Sequence, residues 1–482
     1  MRFLKNHYII ILFLIFFLAI TSYKLIYTPT PFYDWDESLY IQTGNEMIQN
    51  NYYYFPMWQG EPWLDKPPLV PLLYASIARA FYFIPPEIST RLFTLVISIF
   101  LLSFIYILYN KIFKDQVLST LAIATTAFTP IFLQRAQVVN LDSFLLFGWL
   151  GYILFFDRKF LSLFFLFIAV FSKSLIGFYP VFAVAAYYIY IYMLKKVSKK
   201  EFKKAFFKLF THSFLLTAWF AAMFISFGNK FWQQHIIESH FRRITSSIEF
   251  HFGQRTFYLD LVRDQYGFLL IFAILGLASF IYWLWKNKFD ASKIFYGLYL
   301  LPWFLFLNVT KTKIFWYFYP AIPQFGFFTA AAGLLLKKNK WLYLTFSILL
   351  VLSIGYKAFV TDNFFGTYYS KEEPHYILSL YAKSQCDELN VLLNEQSRKS
   401  FDELDKQGLL ITTTKWWGSH PSIVYYFGKK VNFLYSENEL NNSLENATNE
   451  KCFVVEKEEN NLISTNSKKA LLKSFGNLEL YR

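Results

Sequence analysis

The sequence predicts an α-helical polytopic membrane protein that carries a soluble α/β domain at its C-terminus. Three observations support this class. The 482-residue chain is 55% hydrophobic and 17% charged. Its apolar residues form long runs nearly free of charge, and about 20 such residues cross the hydrocarbon core of a bilayer. From about residue 361, Asn, Glu, Lys and Ser become frequent and short β-like runs appear, as in an independent soluble domain.

The apolar runs predict about eleven spanning helices, within a range of about eleven to thirteen. They lie near residues 8–27, 90–110, 117–133, 141–156, 160–172, 175–194, 212–228, 266–285, 294–309, 315–336 and 341–360. The first run is too long for the apolar core of a signal peptide and lacks a clear small-x-small cleavage site. We therefore interpret it as a retained helix.

The loop charges predict the orientation in the membrane. If the N-terminus is cytoplasmic, all the cytoplasmic loops contain Lys or Arg. These loops are 111–116, 157–159, 195–211, 286–293 and 337–340. The opposite loops hold Asp34, Asp36, Glu37, Glu46, Glu61 and Asp65. The positive-inside rule thus places the N-terminus in the cytoplasm and the large loops and tail outside it. The net charge of +14 follows from the same rule, so we expect no nucleic-acid partner.

The change of composition predicts two domains. We expect a transmembrane domain over 1–360, with a first extracytoplasmic loop at 28–89, and an extracytoplasmic domain over 361–482. The β-like runs of the tail are Leu409–Thr413, Ser422–Phe427 and Cys452–Glu456. Both cysteines, Cys386 and Cys452, fall in the tail. An oxidising compartment would permit a disulfide, and two buried thiols are the alternative.

The first extracytoplasmic loop is too long for a simple connector, and loops of this length are usually functional or folded. Asp36 and Glu37 open a predicted helix that runs to about Gln49. Its apolar face contains Tyr40, Gly44, Met47 and Ile48. We expect this amphipathic face to lie along the membrane surface.

The acidic residues at the start of this helix have two interpretations. Asp34 followed by Glu37 resembles a capping box, and acidic side chains suit the positive end of a helix. Alternatively, a carboxylate beside aromatic residues at a membrane interface is a candidate general base for an acceptor hydroxyl. The spacing leaves both interpretations open.

Cations on the extracytoplasmic side are the second feature that indicates chemistry. Lys66 stands before tandem prolines that suit a helix start, where free amides and a cation together favour a phosphate. Pairing with Asp65 is the structural alternative. Arg135 and Asp142 lie near the second outside turn. Lys173 and Lys313 lie at the outer ends of spans, where a charge needs a partner or a function. For any single lysine, snorkelling to headgroups is the simpler interpretation.

Together these motifs resemble the bacterial protein O-mannosyltransferase / aminoarabinose transferase superfamily. The resemblance rests on D-E-x-x-Y in a long first outside loop, x-K-P-P-L, a lysine after the fifth span, and K-x-x-x-Y-x-x-P-x-x-P. The matching residues are Asp36, Glu37, Tyr40, Lys66, Pro67, Pro68, Asp142, Lys173, Lys313, Tyr317, Pro320 and Pro323. The match covers roughly residues 1–360. It departs at Ser174, where the family commonly has Gly after the lysine.

The resemblance implies a GT-C fold and a glycosyltransferase that uses a polyprenyl-phosphate sugar on the extracytoplasmic face of a bacterial inner membrane. It implies Asp36, with Glu37, as the catalytic carboxylates. The carrier phosphate would be bound by Lys66, Lys173, Lys313 and Tyr317. The cavity for sugar and acceptor would be lined by Tyr40, Arg135 and Asp142. Asp34-Trp35-Asp36 has the DxD form that holds a divalent cation in some glycosyltransferases. The resemblance implies a metal-independent reaction, so we expect no cofactor.

Other functions remain open at this stage. A transporter or flippase of lipid-linked sugars would also place ionisable residues in a membrane cavity, although such proteins often have two related halves, which are not seen here. A polymerase or ligase that uses polyprenyl carriers typically has its main functional loop late in the chain. The sequence does not identify the sugar, nor whether the acceptor is a lipid, a protein or a glycan.

Overall fold

A computed structural model provides the structure and describes residues 7–411, 420–446, 450–464 and 469–482. The chain divides into two compact units. The first contains the N-terminal residues up to Thr28, Ile88–Trp232 and Phe252–Thr367, and the second contains Pro29–Glu87, Gln233–His251 and the described residues from Tyr368 onward. The predicted domain limits, 1–360 and 361–482, stay a prediction.

Apolar helices make up the first unit, and one helical segment, Lys199–Thr245, continues beyond Trp232 into residues of the second unit. In the described part of the chain, seven helical segments are long and apolar enough to cross a membrane. They are Tyr8–Tyr27, Pro86–Phe113, Lys159–Met193, Lys199–Thr245, Leu269–Lys286, Phe315–Lys338 and Lys340–Thr361. The helices Ala291–Leu298 and Leu301–Val309 form a pair bent by 51°, which would make up to eight spans. The chain is therefore a multi-pass membrane protein, as expected.

The count of spans is smaller than the predicted eleven because some apolar runs form short helices. The runs 117–133 and 141–156 contain Gln116–Ala127 and Asp142–Leu154, of 12 and 13 residues. At about 1.5 Å per residue, these helices are shorter than the roughly 30 Å hydrocarbon core. The predicted runs 160–172 and 175–194 are the helices Lys159–Lys173 and Tyr179–Met193, with the 3-10 turn Ser174–Phe178 between them.

Close helix packing in the first unit depends on small residues. Gly326, on the helix Ile322–Ala331, approaches the helix Gln116–Ala127 so closely that a Cβ atom would lie 2.6 Å from the carbonyl oxygen of Ala122. Such small residues let helix backbones approach each other in a membrane, where the hydrophobic effect does not drive helix association. The hydroxyl of Tyr109 donates to the carbonyl of Pro323 at 2.7 Å, which satisfies a buried polar group.

The second unit contains a five-stranded mixed sheet, whose order from one edge to the other is Lys430–Leu434, Glu388–Leu392, Lys451–Glu456, Leu478–Tyr481 and Leu471–Phe475. Its strands are β3 (Glu388–Leu392), β4 (Lys430–Leu434), β5 (Lys451–Glu456), β6 (Leu471–Phe475) and β7 (Leu478–Tyr481). The central strand β3 is parallel to β4 and β5, and the β6–β7 hairpin joins β5 in antiparallel pairing. The longer α-helices of this unit include Asp36–Asn50, Leu69–Ala80, Pro374–Gln385, Glu395–Lys406, Pro421–Phe427 and Glu437–Glu445. A two-stranded antiparallel ribbon pairs β1 (Met57–Trp58) with β2 (Glu61–Pro62). The expected α/β tail is confirmed.

Of the three β-like runs, Cys452–Glu456 is a strand and Ser422–Phe427 was predicted wrongly. The latter run forms the helix Pro421–Phe427. Proline at the first helical position is pre-organised for a helix, and Gly428 ends it in the left-handed conformation with φ of 69°. In the run Leu409–Thr413, residues 409–411 are not in a strand, and Thr412 and Thr413 lie outside the described residues.

The two cysteines are joined by a disulfide. Cys386 precedes β3, and Cys452 lies in the neighbouring strand β5. Of the two alternatives that the sequence left open, the structure therefore has the disulfide rather than two thiols.

Candidate functional site

The start of the helix Asp36–Asn50 carries the candidate catalytic carboxylates. Asp36 is the first helical residue, where the helix dipole favours a negative charge. The side chain of Glu37 is buried, and its Oε2 accepts a hydrogen bond from the backbone N–H of Tyr33 at 2.7 Å. Glu37 thus stabilises the turn before the helix.

The capping-box interpretation of Asp34 is wrong. The residue before the helix is Trp35 rather than Asp34, and its side chain makes no capping hydrogen bond. The carboxylate of Asp34 instead accepts hydrogen bonds from His420 and from the backbone N–H of Ser422, the latter at 3.1 Å. Asp34 therefore makes a long-range contact in the second unit, and sequence spacing could not reveal it.

The apolar face of this helix packs inside the second unit, so the expectation that it lies along the membrane surface is wrong. A Cβ atom on Gly44 would lie 2.1 Å from the carbonyl oxygen of Pro71, in the helix Leu69–Ala80. Tyr40 is buried, and its ring centroid lies 6.4 Å from that of Trp63. Glycine is required here because the two helix backbones are almost in contact.

Lys66 is held by a buried carboxylate. Its Nζ lies 2.7 Å from Oδ2 of Asp65, so the predicted pairing is present. The helix that follows the tandem prolines begins at Leu69, as their position predicted. The hydroxyl of Ser239 donates to the other carboxylate oxygen of Asp65. The side chain of Lys66 is 16% exposed and that of Asp65 7% exposed, so the carboxylate is the more deeply buried partner.

The charge of Asp65 is stabilised although the side chain is buried. Burial by itself raises the pKa of this carboxyl, but the charges of Lys66 and Arg243 and the hydrogen bonds from Lys66 and Ser239 hold it well below its usual range. Arg243 also lies 3.8 Å from Glu249. Asp65 is therefore ionised at neutral pH and fixes the position of the lysine.

Ser239 and Arg243 also interact with Asp65, and no motif in the sequence predicted them for the candidate site. Ser239 lies in the segment Trp232–Arg242, which is a π-helix, and Arg243 follows it directly. π-Helical turns are rare and occur frequently at functional sites. The available signal was the basic pair Arg242-Arg243 in a loop predicted to be extracytoplasmic, which runs against the positive-inside trend.

A second group of predicted residues comes together in the first unit. Nζ of Lys173 lies 2.5 Å from Oδ1 of Asp142 and 4.8 Å from the ring centroid of Tyr317. Both charged side chains are buried. Asp142 begins the helix Asp142–Leu154 and Lys173 ends the helix Lys159–Lys173. Each charge therefore also has the favourable sign for its helix dipole.

Ser174, at which the sequence departs from the family pattern, has an unusual backbone conformation. Its φ is 60°, in the left-handed region that favours glycine. The turn after Lys173 thus requires a backbone conformation that glycine adopts without strain.

The other two predicted cations have different surroundings. The guanidinium of Arg135 lies 4.9 Å from the ring centroid of Trp316. The ammonium of Lys313 donates to the carbonyls of Leu307 and Asn308, at 3.1 and 3.3 Å, near the end of the helix Leu301–Val309. Lysine near a helix C-terminus stabilises its last carbonyls. A phosphate-binding role for Lys313 stays a prediction.

The predicted site residues are therefore divided between the two units. Asp36, Glu37, Tyr40 and Lys66 belong to the second unit, and Arg135, Asp142, Lys173, Lys313 and Tyr317 belong to the first. Within the described ranges of the chain, no three His, Cys, Asp or Glu side chains are grouped to hold a metal ion. The expectation of a reaction without a cofactor stays a prediction.

Comparison with known sequences finds a distant relative but no family model. No family model matches the sequence. A protein of Aquifex aeolicus described as uncharacterized is 24% identical over 309 residues, and the match covers 61% of this chain and 58% of that protein. The chain thus spans less than two thirds of this curated relative.

Solved structures match nearly the whole chain. ArnT from Cupriavidus metallidurans bound to undecaprenyl phosphate matches with a TM-score of 0.62 and 11% identity, over 99% of this chain and 98% of that one. Its apo state gives a TM-score of 0.64 over 97% of each chain. The Archaeoglobus fulgidus oligosaccharyltransferase in complex with zinc and sulfate gives 0.56 at 12% identity, over 92% of this chain and 68% of that one. The chain has the GT-C fold of these glycosyltransferases, as the resemblance implied.

Proposed function

We propose that this protein is a membrane glycosyltransferase that moves a sugar from a polyprenyl-phosphate carrier to an acceptor hydroxyl on the extracytoplasmic face. The observation that carries the proposal is the match of 99% of the chain to ArnT, whose structure holds undecaprenyl phosphate. Two ion pairs support it: Asp142–Lys173, whose side chains are both buried, and Lys66–Asp65, in which the carboxylate is buried. A chain that spans a membrane keeps such groups where they pair or serve a function.

Lys66 is assigned to the phosphate of the carrier. As the glycosidic bond breaks, the leaving phosphate gains negative charge, and a preorganised cation stabilises that charge in the transition state. Asp65 and Ser239 hold the lysine in place, so little reorganisation is needed when the substrate reacts. Arg243 contributes a second positive charge to the same cluster.

Asp36 is assigned as the general base. The D-E-x-x-Y resemblance supports this role, and Asp36 stands at the first position of its helix, with Glu37 beside it. The acceptor hydroxyl oxygen attacks the anomeric carbon and gives its proton to Asp36, and the carbon–oxygen bond to the phosphate breaks with its electron pair on the leaving carrier. This direct displacement inverts the anomeric centre and balances without a metal ion.

The Asp142–Lys173 pair beside Tyr317 is assigned to substrate binding. A buried ion pair next to an aromatic ring provides both a charge for a phosphate and hydrogen bonds for a sugar hydroxyl. Tyr40 and Arg135 are assigned to the sugar and acceptor cavity, as the resemblance implied. The acceptor class remains a lipid, a protein or a glycan.

We further propose a bacterial inner-membrane location with a cytoplasmic N-terminus. The loop charges support this orientation through the positive-inside rule. The Cys386–Cys452 disulfide is consistent with it, because disulfides persist in oxidising compartments outside the cytoplasm.

The test is sugar transfer by purified protein in liposomes, with a panel of undecaprenyl-phosphate sugars and a membrane extract as acceptor. Asp36→Asn and Lys66→Ala are compared with wild type and with Glu61→Gln, a matched control at an exposed acidic residue of the same loop. We expect both site variants to lose transfer and the control to retain it. Transfer that is unchanged in both variants contradicts the site. Carrier movement across the bilayer without transfer would favour a transporter.

A further inference from the structure

A long-range contact joins the segment before the helix Asp36–Asn50 to the C-terminal tail. The carboxylate of Asp34 accepts from a ring nitrogen of His420 through one oxygen. Its other oxygen accepts from the backbone N–H and the hydroxyl of Ser422. Asp34 lies two residues before Asp36 and 386 residues before His420. Both partners belong to the second unit.

A second contact holds the same segment one turn earlier. The hydroxyl of Tyr426 accepts from the backbone N–H of Phe32 at 2.7 Å and donates to the carboxylate of Glu87 at 2.8 Å. The ring of Phe32 meets that of Tyr425 edge-on at 5.2 Å. The helix Pro421–Phe427 therefore contacts the backbone and side chains on the N-terminal side of Asp36.

The histidine in this contact has an unusual neighbour. The ring of His420 stacks on that of His375, with centroids 3.6 Å apart and planes inclined by 21°. Burial would lower the pKa of His420, but the hydrogen bond and charge of Asp34, with the charges of Glu373 and Glu456, raise it above its ordinary value. Burial and the proximity of His420 lower the pKa of His375 to about 3. At neutral pH, His375 is thus the uncharged ring of the stack.

We propose that His420 and Ser422 are positioning residues, which act through Asp34 to hold the segment 33–37 and with it the carboxylate of Asp36. The hold depends on the proton of His420, because a charged imidazole binds a carboxylate more strongly than a neutral one. This inference rests on the proposed function of Asp36. It gives the tail a role in the transfer step itself.

The pH dependence has a definite sign. Because the pKa of His420 is raised, its contribution is fully present below the ordinary value of 6.5 and is lost as the pH rises through the raised value. The hydrogen bonds from His420 and Ser422 outweigh burial and lower the pKa of Asp34, so its own contribution is lost only as the pH falls through that lowered value. The interaction between Asp34 and His420 is therefore strongest at pH values between the lowered pKa of Asp34 and the raised pKa of His420. It weakens as the pH rises above the latter.

The experiment combines hydrogen exchange with the pH profile of transfer in the full-length protein. His420→Gln keeps a hydrogen-bond donor but cannot become charged, and Ser422→Ala removes a single hydroxyl. Asp387→Asn is the matched control, because it breaks the exposed Lys429–Asp387 pair of the same unit. Thermal melting checks that each variant is folded.

We expect His420→Gln to increase exchange of the amides of residues 32–39 and to lower kcat at pH 6 by about tenfold, the equivalent of one charge-assisted hydrogen bond. The alkaline fall of kcat should disappear in this variant, and KM for the donor should change little. Ser422→Ala should show a smaller loss of kcat with the wild-type pH profile, and Asp387→Asn should match wild type.

Wild-type exchange and an unchanged alkaline limb in His420→Gln would overturn the inference. If wild-type protein transfers no sugar from any donor, the proposed function fails. The hydrogen-exchange data then still show whether His420 fixes the segment 33–37. Increased exchange at 32–39 in His420→Gln would then support a segment held by the tail, and unchanged exchange would overturn it.

Discussion

The buried Asp142–Lys173 pair provides the sharpest stability prediction. The two charged atoms lie 2.5 Å apart, and their side chains are 4% and 10% exposed. Asp142→Asn removes the negative charge and leaves the ammonium of Lys173 buried without its counter-charge. Breaking a buried pair in this way costs about 3–5 kcal/mol. At an unfolding entropy of about 2.1 cal/mol/K per residue, a chain of this length should melt about 3–5 °C lower.

A double variant separates the contribution of the ion pair from the cost of leaving one charge unpaired. In Asp142→Leu/Lys173→Met no unpaired charge remains, and replacing both partners of a buried pair with apolar residues is often neutral or stabilising. The double variant should therefore melt close to wild type, while each single variant melts lower. Glu395→Gln is the matched control, because its ion pair with Lys399 is exposed and such pairs contribute little.

The assay is thermal unfolding in detergent at pH 7, followed by sugar transfer with each stable variant. We expect the double variant to recover stability but not transfer, because the proposed role of the pair needs its charges. If Asp142→Asn melts at the same temperature as wild type, the reasoning is refuted, because other groups would then stabilise the charge of Lys173. Full transfer by the double variant would remove both residues from the site.

Three further outcomes test separate parts of the structure. Reduction of the Cys386–Cys452 disulfide, which closes a loop of 66 residues, should destabilise the tail by about 4 kcal/mol in the chain-entropy model. Melting with and without reductant measures this, and equal curves would contradict it. Asp65→Asn should lower the melting temperature more at pH 7 than at pH 3. Because the pKa of Asp65 is lowered in the folded protein, its charge stabilises the fold at pH values above the ordinary pKa of 3.8, and this stabilisation decreases as the pH falls. An equal effect at both pH values would argue against a charge interaction. Gly44→Val should destabilise the second unit by about 1–3 kcal/mol, since its Cβ would meet backbone at 2.1 Å. Gly355→Ala, with open space around it, serves as the control and should melt no lower than wild type.

The sequence alone determined the class of the protein and its local elements. Apolar runs are local, so hydropathy located the helices, including Tyr8–Tyr27 at the predicted limits. Dipole and turn preferences are also local, so the helix predicted from Asp36 to Gln49 was found as Asp36–Asn50. The pairing of Lys66 with Asp65 could be predicted for the same reason, because the two residues are adjacent.

The tertiary structure decided every contact between distant segments. Asp34 binds His420 across 386 residues, and Asp65 accepts from Ser239 across 174. Hydropathy and spacing describe a residue's own neighbourhood. They therefore left capping and catalysis open for the acidic residues around Asp34 and did not indicate Ser239. Local preference likewise predicted a β-like run at Ser422–Phe427, where a proline start and contacts with the first loop support a helix instead. Partners brought together by folding have no signature in the order of residues, because their geometry is set by the packing of the whole unit.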